Sequence, residues 1–203
     1  MNFRIARYAA LCALQVAAFA ALAAPARAAD LASPMVLVAT PALGASGYRE
    51  TVLLAVPVGD GSHFGFILNR PTDTPLAELF PDDDASRRVS ARVHFGGPLM
   101  TDGLFALVRG RGEPERQLVG VTPQLSVALQ GDAVDRVIAE HPGDARFFVG
   151  LVGWRPGELA AELRAGAWDV VDPEADLVLS TDSAGLWKRL APRARGIRVH
   201  LWR

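Results

Sequence analysis

Gly150-Leu151-Val152-Gly153-Trp154-Arg155-Pro156-Gly157-Glu158-Leu159 is the stretch on which the reading of this chain turns. It begins inside an apolar run over residues 147–152, the pattern of a strand buried on both faces. Arg155-Pro156-Gly157 breaks that run. Pro156 suits the first position of a helix, where a missing amide proton costs nothing, and Glu158 can reach back to the unpaired amides there. Leu159 and Leu163 stand four apart and share one helix face, and Gly166 supplies the stop. Residues 168–171 then resume as a strand, so the unit reads strand, tight turn, short helix, strand.

Outward from this unit the elements stay short. Upstream, Asp132 is expected to cap a helix with Val134, Val137 and Ile138 on its apolar face and Asp135 favouring its positive end; His141-Pro142-Gly143 ends it. Residues 92–95 and 103–108 read as strands on either side of a Gly96-Gly97-Pro98 corner, and residues 116–129 hold two more around Pro123. Residues 81–90 read as an acidic, solvated loop. Thr74-Pro75 reads as a cap followed by a proline at the first helical position, opening a helix through Phe80. Residues 35–39 are continuously apolar, and residues 51–58 and 63–68 form a hairpin across Gly59-Asp60-Gly61-Ser62. Downstream, residues 183–190 give a last helix with Leu186 and Leu190 aligned. The mixture predicts a single α+β domain without internal repeats.

The N-terminus carries a different signal. Arg4 and Arg7 precede an Ala- and Leu-rich stretch over residues 8–24, and no acidic residue occurs before Asp30. Ala26-Arg27-Ala28 offers small residues at the two positions that signal peptidase reads. Residues 1–28 are therefore expected to be a secretory signal peptide cleaved near Ala28, leaving a domain over residues 29–203 in the periplasm. An uncleaved anchor is the rival reading; the stretch is short for a span of roughly 20 apolar residues. Cys12, the sole cysteine, lies inside the leader behind Leu11 rather than a small residue, which argues against lipidation. The mature chain then has no thiol for a disulfide, a nucleophile or a metal. Removing Arg4, Arg7 and Arg27 from the 21 basic residues leaves 18 against 22 acidic ones, a net charge of −4 with no basic run. That balance argues against a nucleic-acid footprint, and once the leader is gone no membrane contact is expected.

Candidate chemistry is sparse. Gly44-Ala45-Ser46-Gly47 lacks the closing glycine of a nucleophile elbow, because Tyr48 stands there and a strand follows. His63, His94, His141 and His200 are far apart, with no pair four residues apart on a helix. Asp82-Asp83-Asp84 lacks the glycine turn and distal glutamate of a calcium loop. Gly59-Asp60-Gly61 has no lysine after it and leads into a strand, so it reads as a turn and not a phosphate loop. No cofactor is expected and no metal site.

Three stretches place turn residues directly after an apolar strand: Phe66-Ile67-Leu68-Asn69-Arg70-Pro71, His94-Phe95-Gly96-Gly97-Pro98 and the Gly150–Leu159 segment. They offer a ligand or partner surface of Asn69, Arg70, Gly96, Gly97, Gly153, Trp154 and Arg155. These stretches in this order resemble the AlgH/YqgE family of bacterial proteins, as do Val36-Leu37-Val38-Ala39-Thr40-Pro41 and Gly166-Ala167-Trp168; the likeness spans residues 34–190. The resemblance implies a bent, mostly antiparallel β-sheet flanked by short helices, and it supplies no catalytic residues. Some family members are labelled transcriptional regulators and most are cytoplasmic. An exported protein does not meet DNA, so the leader disfavours that role here. The loop over residues 44–48 also departs from the acidic and aromatic loop usual in the family. The expectation is an exported, non-enzymatic binding or accessory protein for an unknown protein or small molecule. An enzyme using Arg70, His94 and Asp102 is the alternative, and it requires those three side chains to converge.

Overall fold

Strand β1 (Met35–Ala39) is buried at every position, as its unbroken apolar run requires. The computed structural model describes residues 30–80, 84–87, 91–140 and 142–194. Residues 1–29, where the signal peptide is expected and Cys12 lies, and Asp82, Asp83, His141 and His200 lie outside the described residues. After β1 come β2 (Val52–Pro57), β3 (His63–Ile67), β4 (Pro71–Pro75), α1 (Leu76–Leu79), α2 (Asp84–Arg87), β5 (Arg92–Phe95) and β6 (Leu99–Arg109). The second half adds β7 (Leu118–Thr122), β8 (Leu125–Ala128), α3 (Gly131–Glu140), β9 (Ala145–Trp154), α4 (Glu158–Arg164), β10 (Trp168–Val171), α5 (Ala175–Val178) and α6 (Leu186–Ala194).

The strands form one curled sheet, a half-barrel in the order β10-β1-β2-β3-β9-β6-β8-β7. The fold is α+β, and among the described residues every strand pairing is antiparallel except β5 with β9. Alternation along β1 explains the two-sided burial. Val36 and Val38 pack with Leu186 and Leu190 of α6, whereas Met35, Leu37 and Ala39 pack with Leu159 and Leu163 of α4. A third cluster seats Val134, Val137 and Ile138 of α3 against Ala106, Val108 and Phe147.

The sheet divides at β9. Its first half pairs with β6 on one side and β5 on the other; past Gly150 the neighbour becomes β3, at His63↔Trp154, Phe64↔Gly153 and Gly65↔Val152. Gly96 stitches the fork: its amide donates to the Val149 carbonyl at 2.8 Å and its carbonyl accepts from the Ile67 amide at 2.9 Å. Only glycine fits this crossing. A Cβ on Gly96 would lie 2.2 Å from the Gly150 carbonyl oxygen, and one on Gly97 would lie 2.2 Å from the Leu151 carbonyl carbon.

Several elements depart from the sequence reading. Pro71–Pro75 is a strand and α1 starts only at Leu76. Proline holds the preceding residue extended, and the Thr72 hydroxyl donates to the Val93 carbonyl at 2.7 Å, so the segment pairs with β5 in place of starting a helix. Within residues 81–90, α2 forms and buries Ser86, whose hydroxyl donates to the Phe80 carbonyl at 2.7 Å. β6 begins four residues earlier than expected, at Leu99, and it pairs with β8 and β9. Asp132 lies in the first turn of α3 and not at its cap. Gly157, at φ 84°, separates Pro156 from α4, yet Glu158 does reach back, its Oε2 accepting from the Arg155 amide at 2.8 Å. The last helix begins at Leu186 and not Ser183.

Candidate functional site

The residues singled out from sequence are largely engaged by the fold. Asn69 closes the mouth between β2 and β3: its Oδ1 accepts from the Val52 amide and its Nδ2 donates to the Glu50 carbonyl, both at 2.8 Å. Glu50 has φ 54°, so Asn69 braces a backbone in the left-handed region that costs a non-glycine residue about 1–2 kcal/mol. Arg70 donates to the Gly47 carbonyl at 2.5 Å and to the Thr51 hydroxyl at 3.0 Å. Gly96 and Gly97 form the tight crossing, and Gly153 lies against the Leu99 side chain. Trp154 is 5% exposed and its indole N–H donates to Glu162 Oε2 at 3.0 Å; Trp168 donates to the same oxygen at 2.7 Å. Arg155 is exposed.

Arg70, His94 and Asp102 go separate ways. Arg70 turns to the Gly47–Thr51 segment, His94 turns to Ser183, and Asp102 lies exposed on β6. Neither Arg70 nor Asp102 lines the cleft that contains His94. Among the described residues, no group of three histidine, cysteine or acidic side chains is placed to hold a metal ion.

That cleft has a volume of about 850 Å³ and is lined by polar groups from several elements. Its floor is β5 and the start of β9, and its walls are the segments over residues 142–144 and 179–184. Alternation on β9 puts Arg146 and Phe148 on one face of the sheet and Phe147 on the other. The Arg146 guanidinium carbon sits 5.3 Å from the centre of the Phe148 ring, and the His94 ring lies 5.4 Å from the same ring. Arg146 is only 7% exposed. It donates to the Val178 carbonyl at 2.5 Å and the Leu68 carbonyl at 2.6 Å. Among the described residues no carboxylate pairs with it. Burial alone draws its pKa down to about 10, so it stays cationic at neutral pH.

His94 Nε2 stands 3.2 Å from the buried Ser183 hydroxyl, while its Nδ1 has no hydrogen-bond partner. Burial, and then the Arg146 charge, push its pKa down to about 4. A serine beside a histidine invites comparison with a nucleophile and its base. The pair lacks a carboxylate to orient the ring, and an imidazole with the proton affinity of a carboxylic acid is a weak acceptor for a hydroxyl proton at neutral pH.

The loop over residues 180–183 is held by Arg189, which donates to the Asp182 carbonyl at 3.2 Å, to the Asp182 carboxylate and to the Ser180 hydroxyl at 3.1 Å. Arg92 and Arg109 stand on the rim. They pair with Asp73 at 3.0 Å and Asp176 at 2.9 Å, both partners being strongly exposed.

A match to the AlgH-like family model (DUF179) runs over residues 36–198. The chain belongs to the AlgH-like family. A UPF0301 protein of Streptomyces coelicolor is 33% identical over 165 residues, covering 79% of this chain and 85% of that protein. One from Chlorobium chlorochromatii is 28% identical over 169 residues, covering 82% and 87%. Among solved structures, the solution structure of AlgH from Pseudomonas aeruginosa superposes with TM-score 0.65 at 24% identity, covering 84% of this chain and 90% of that one. A crystal structure from Corynebacterium diphtheriae gives 0.64 at 22%, covering 82% and 89%. These likenesses establish the fold of this AlgH-like chain.

The residues of the AlgH-like cleft were hard to find from sequence. Arg146 stands at the head of an apolar strand, where an arginine looks like a boundary residue. Ser180-Thr181-Asp182-Ser183 was the available signal, a hydroxyl-rich run just before a helix.

The His94 environment yields a prediction. The folded pKa lies below the unfolded value of 6.5, so as pH falls the unfolded chain takes up this proton first. The His94 contribution to stability is complete above about pH 6.5 and is lost as pH falls towards 4. Comparing urea midpoints at pH 7 and pH 4, the wild type should lose roughly 3 kcal/mol more than His94→Gln. Equal losses in the two proteins would contradict the buried, Arg146-facing position of the ring.

Proposed function

We propose that this AlgH-like chain is an exported binding protein that holds a small ligand in the Arg146 cleft without transforming it. The observation that carries this reading is Arg146 itself, a buried cation with no acidic partner among the described residues, open to a cleft in the size range of small-molecule sites. The weak, unoriented His94–Ser183 pair supports holding over chemistry. The arginine-led leader supports export, and the family match begins only at residue 36, downstream of it.

Expressing the full chain in a Gram-negative host tests the localisation. Intact mass of the purified protein should correspond to a chain starting at Ala29, recovered from the periplasmic fraction. Ala28→Arg should block processing and keep the protein at full length. A soluble cytosolic protein with the leader intact would overturn export. The binding half is tested by ligand-induced shifts at the cleft, and a folded protein that responds to no compound there would overturn it.

A further inference from the structure

We propose that the ligand carries an oxyanion, a carboxylate or a phosphate, seated against Arg146; this rests on the cleft being the binding site. The argument starts from the cost of burying charge. A guanidinium taken out of water without a counter-charge loses several kcal/mol of hydration. The Val178 and Leu68 carbonyls occupy two of the five N–H donors, and the Phe148 face adds a quadrupole, but neither supplies a negative charge. An oxyanion entering the cleft supplies it, with a fork geometry that matches two oxygens.

The rim agrees. Arg92 and Arg109 line the same cleft, and their partners Asp73 and Asp176 face solvent with side-chain exposures of 108% and 88%. Such exposed pairs contribute little, so both guanidinium groups can turn to a ligand at small cost. The hydroxyls of Ser180, Thr181 and Ser183 add neutral donors on the opposite wall. Two carboxylates also line the cleft. Asp182 is bound by Arg189 and Asp144 is exposed, so water and salt screen the latter while Arg146 is screened far less. The charge in the cleft that water and salt screen least is therefore the buried cation of Arg146. Pro71, Ala91, Pro142 and Leu179 give the site an apolar body, which fits an organic acid or an organic phosphate.

Calorimetric titration of the protein purified from cells expressing the full chain tests this, with inorganic pyrophosphate and with succinate as probes. At least one should bind saturably with millimolar or tighter affinity, and the preferred probe separates the phosphate class from the carboxylate class. Exchanging both rim arginines (Arg92→Gln with Arg109→Gln) should weaken binding about tenfold without changing the urea midpoint appreciably. Arg146→Lys keeps a cation but loses the fork, and it should weaken binding further; circular dichroism checks that this variant is folded. No saturable binding of either anion by the folded wild type would overturn the proposal. If uncharged fragments nevertheless shift cleft resonances, the oxyanion inference alone falls. If nothing binds there, the cleft reading falls with it.

Discussion

Gly150→Ala is expected to destabilise the protein by about 4 kcal/mol or more, enough to leave little folded chain if total stability is typical of a domain. Two costs combine at this position. Its φ of 73° is a left-handed conformation that strains alanine by about 1–2 kcal/mol. The added Cβ would also stand 2.2 Å from the Gly97 carbonyl oxygen and 3.0 Å from that of Leu99, both backbone atoms that no rotamer change can move. Since the sheet forks at this point, relief means opening the β5–β9 crossing. Gly157 is the control: its φ is 84°, but nothing lies within 4 Å of a Cβ there. Gly157→Ala should cost only about 1–2 kcal/mol. Urea denaturation of the two variants measures the difference, and similar losses would mean that the crossing is looser than described.

Phe148→Ala should cost about 3–5 kcal/mol, the range for emptying a fully buried aromatic site. The side chain is completely buried, with its ring centre 5.2 Å from that of Phe66 and 5.4 Å from that of His94, beneath the Arg146 guanidinium. The loss falls on both the core and the cleft floor. Phe148→Leu restores most of the apolar volume but not the ring face, and about 1–2 kcal/mol is expected. Denaturant midpoints give both values. If the leucine variant costs as much as the alanine variant, the aromatic stack around Phe148 matters more than the space it fills.

The legible parts of the fold were those where pattern and burial coincide. The apolar run at residues 35–39, the hairpin closed by Gly59-Asp60-Gly61-Ser62 and the Gly166 stop of α4 all follow from local chemistry. The bent antiparallel sheet came through the family resemblance and not through periodicity. Thr74-Pro75 looks like a helix start in sequence because a capping threonine precedes a proline, whereas the pairing of Pro71–Pro75 with β5 comes from tertiary context. The same limit applied to function. The sequence pointed to strand ends, and the structure brings Gly96, Gly97 and Gly150 together there, as backbone crossing. Arg146 gave no local signal, since its meaning depends on Val178, Leu68 and Phe148, the first two of which lie far from it in sequence.

Chemical-shift mapping of the isotopically labelled protein during a pyrophosphate titration tests the account most directly. Amide shifts should concentrate on Arg92, Val93 and His94, on Asp144, Ala145 and Arg146, and on residues 179–184. Shifts concentrated instead on Asn69, Arg70, Gly153, Trp154 and Arg155, with the cleft amides unmoved, would contradict it.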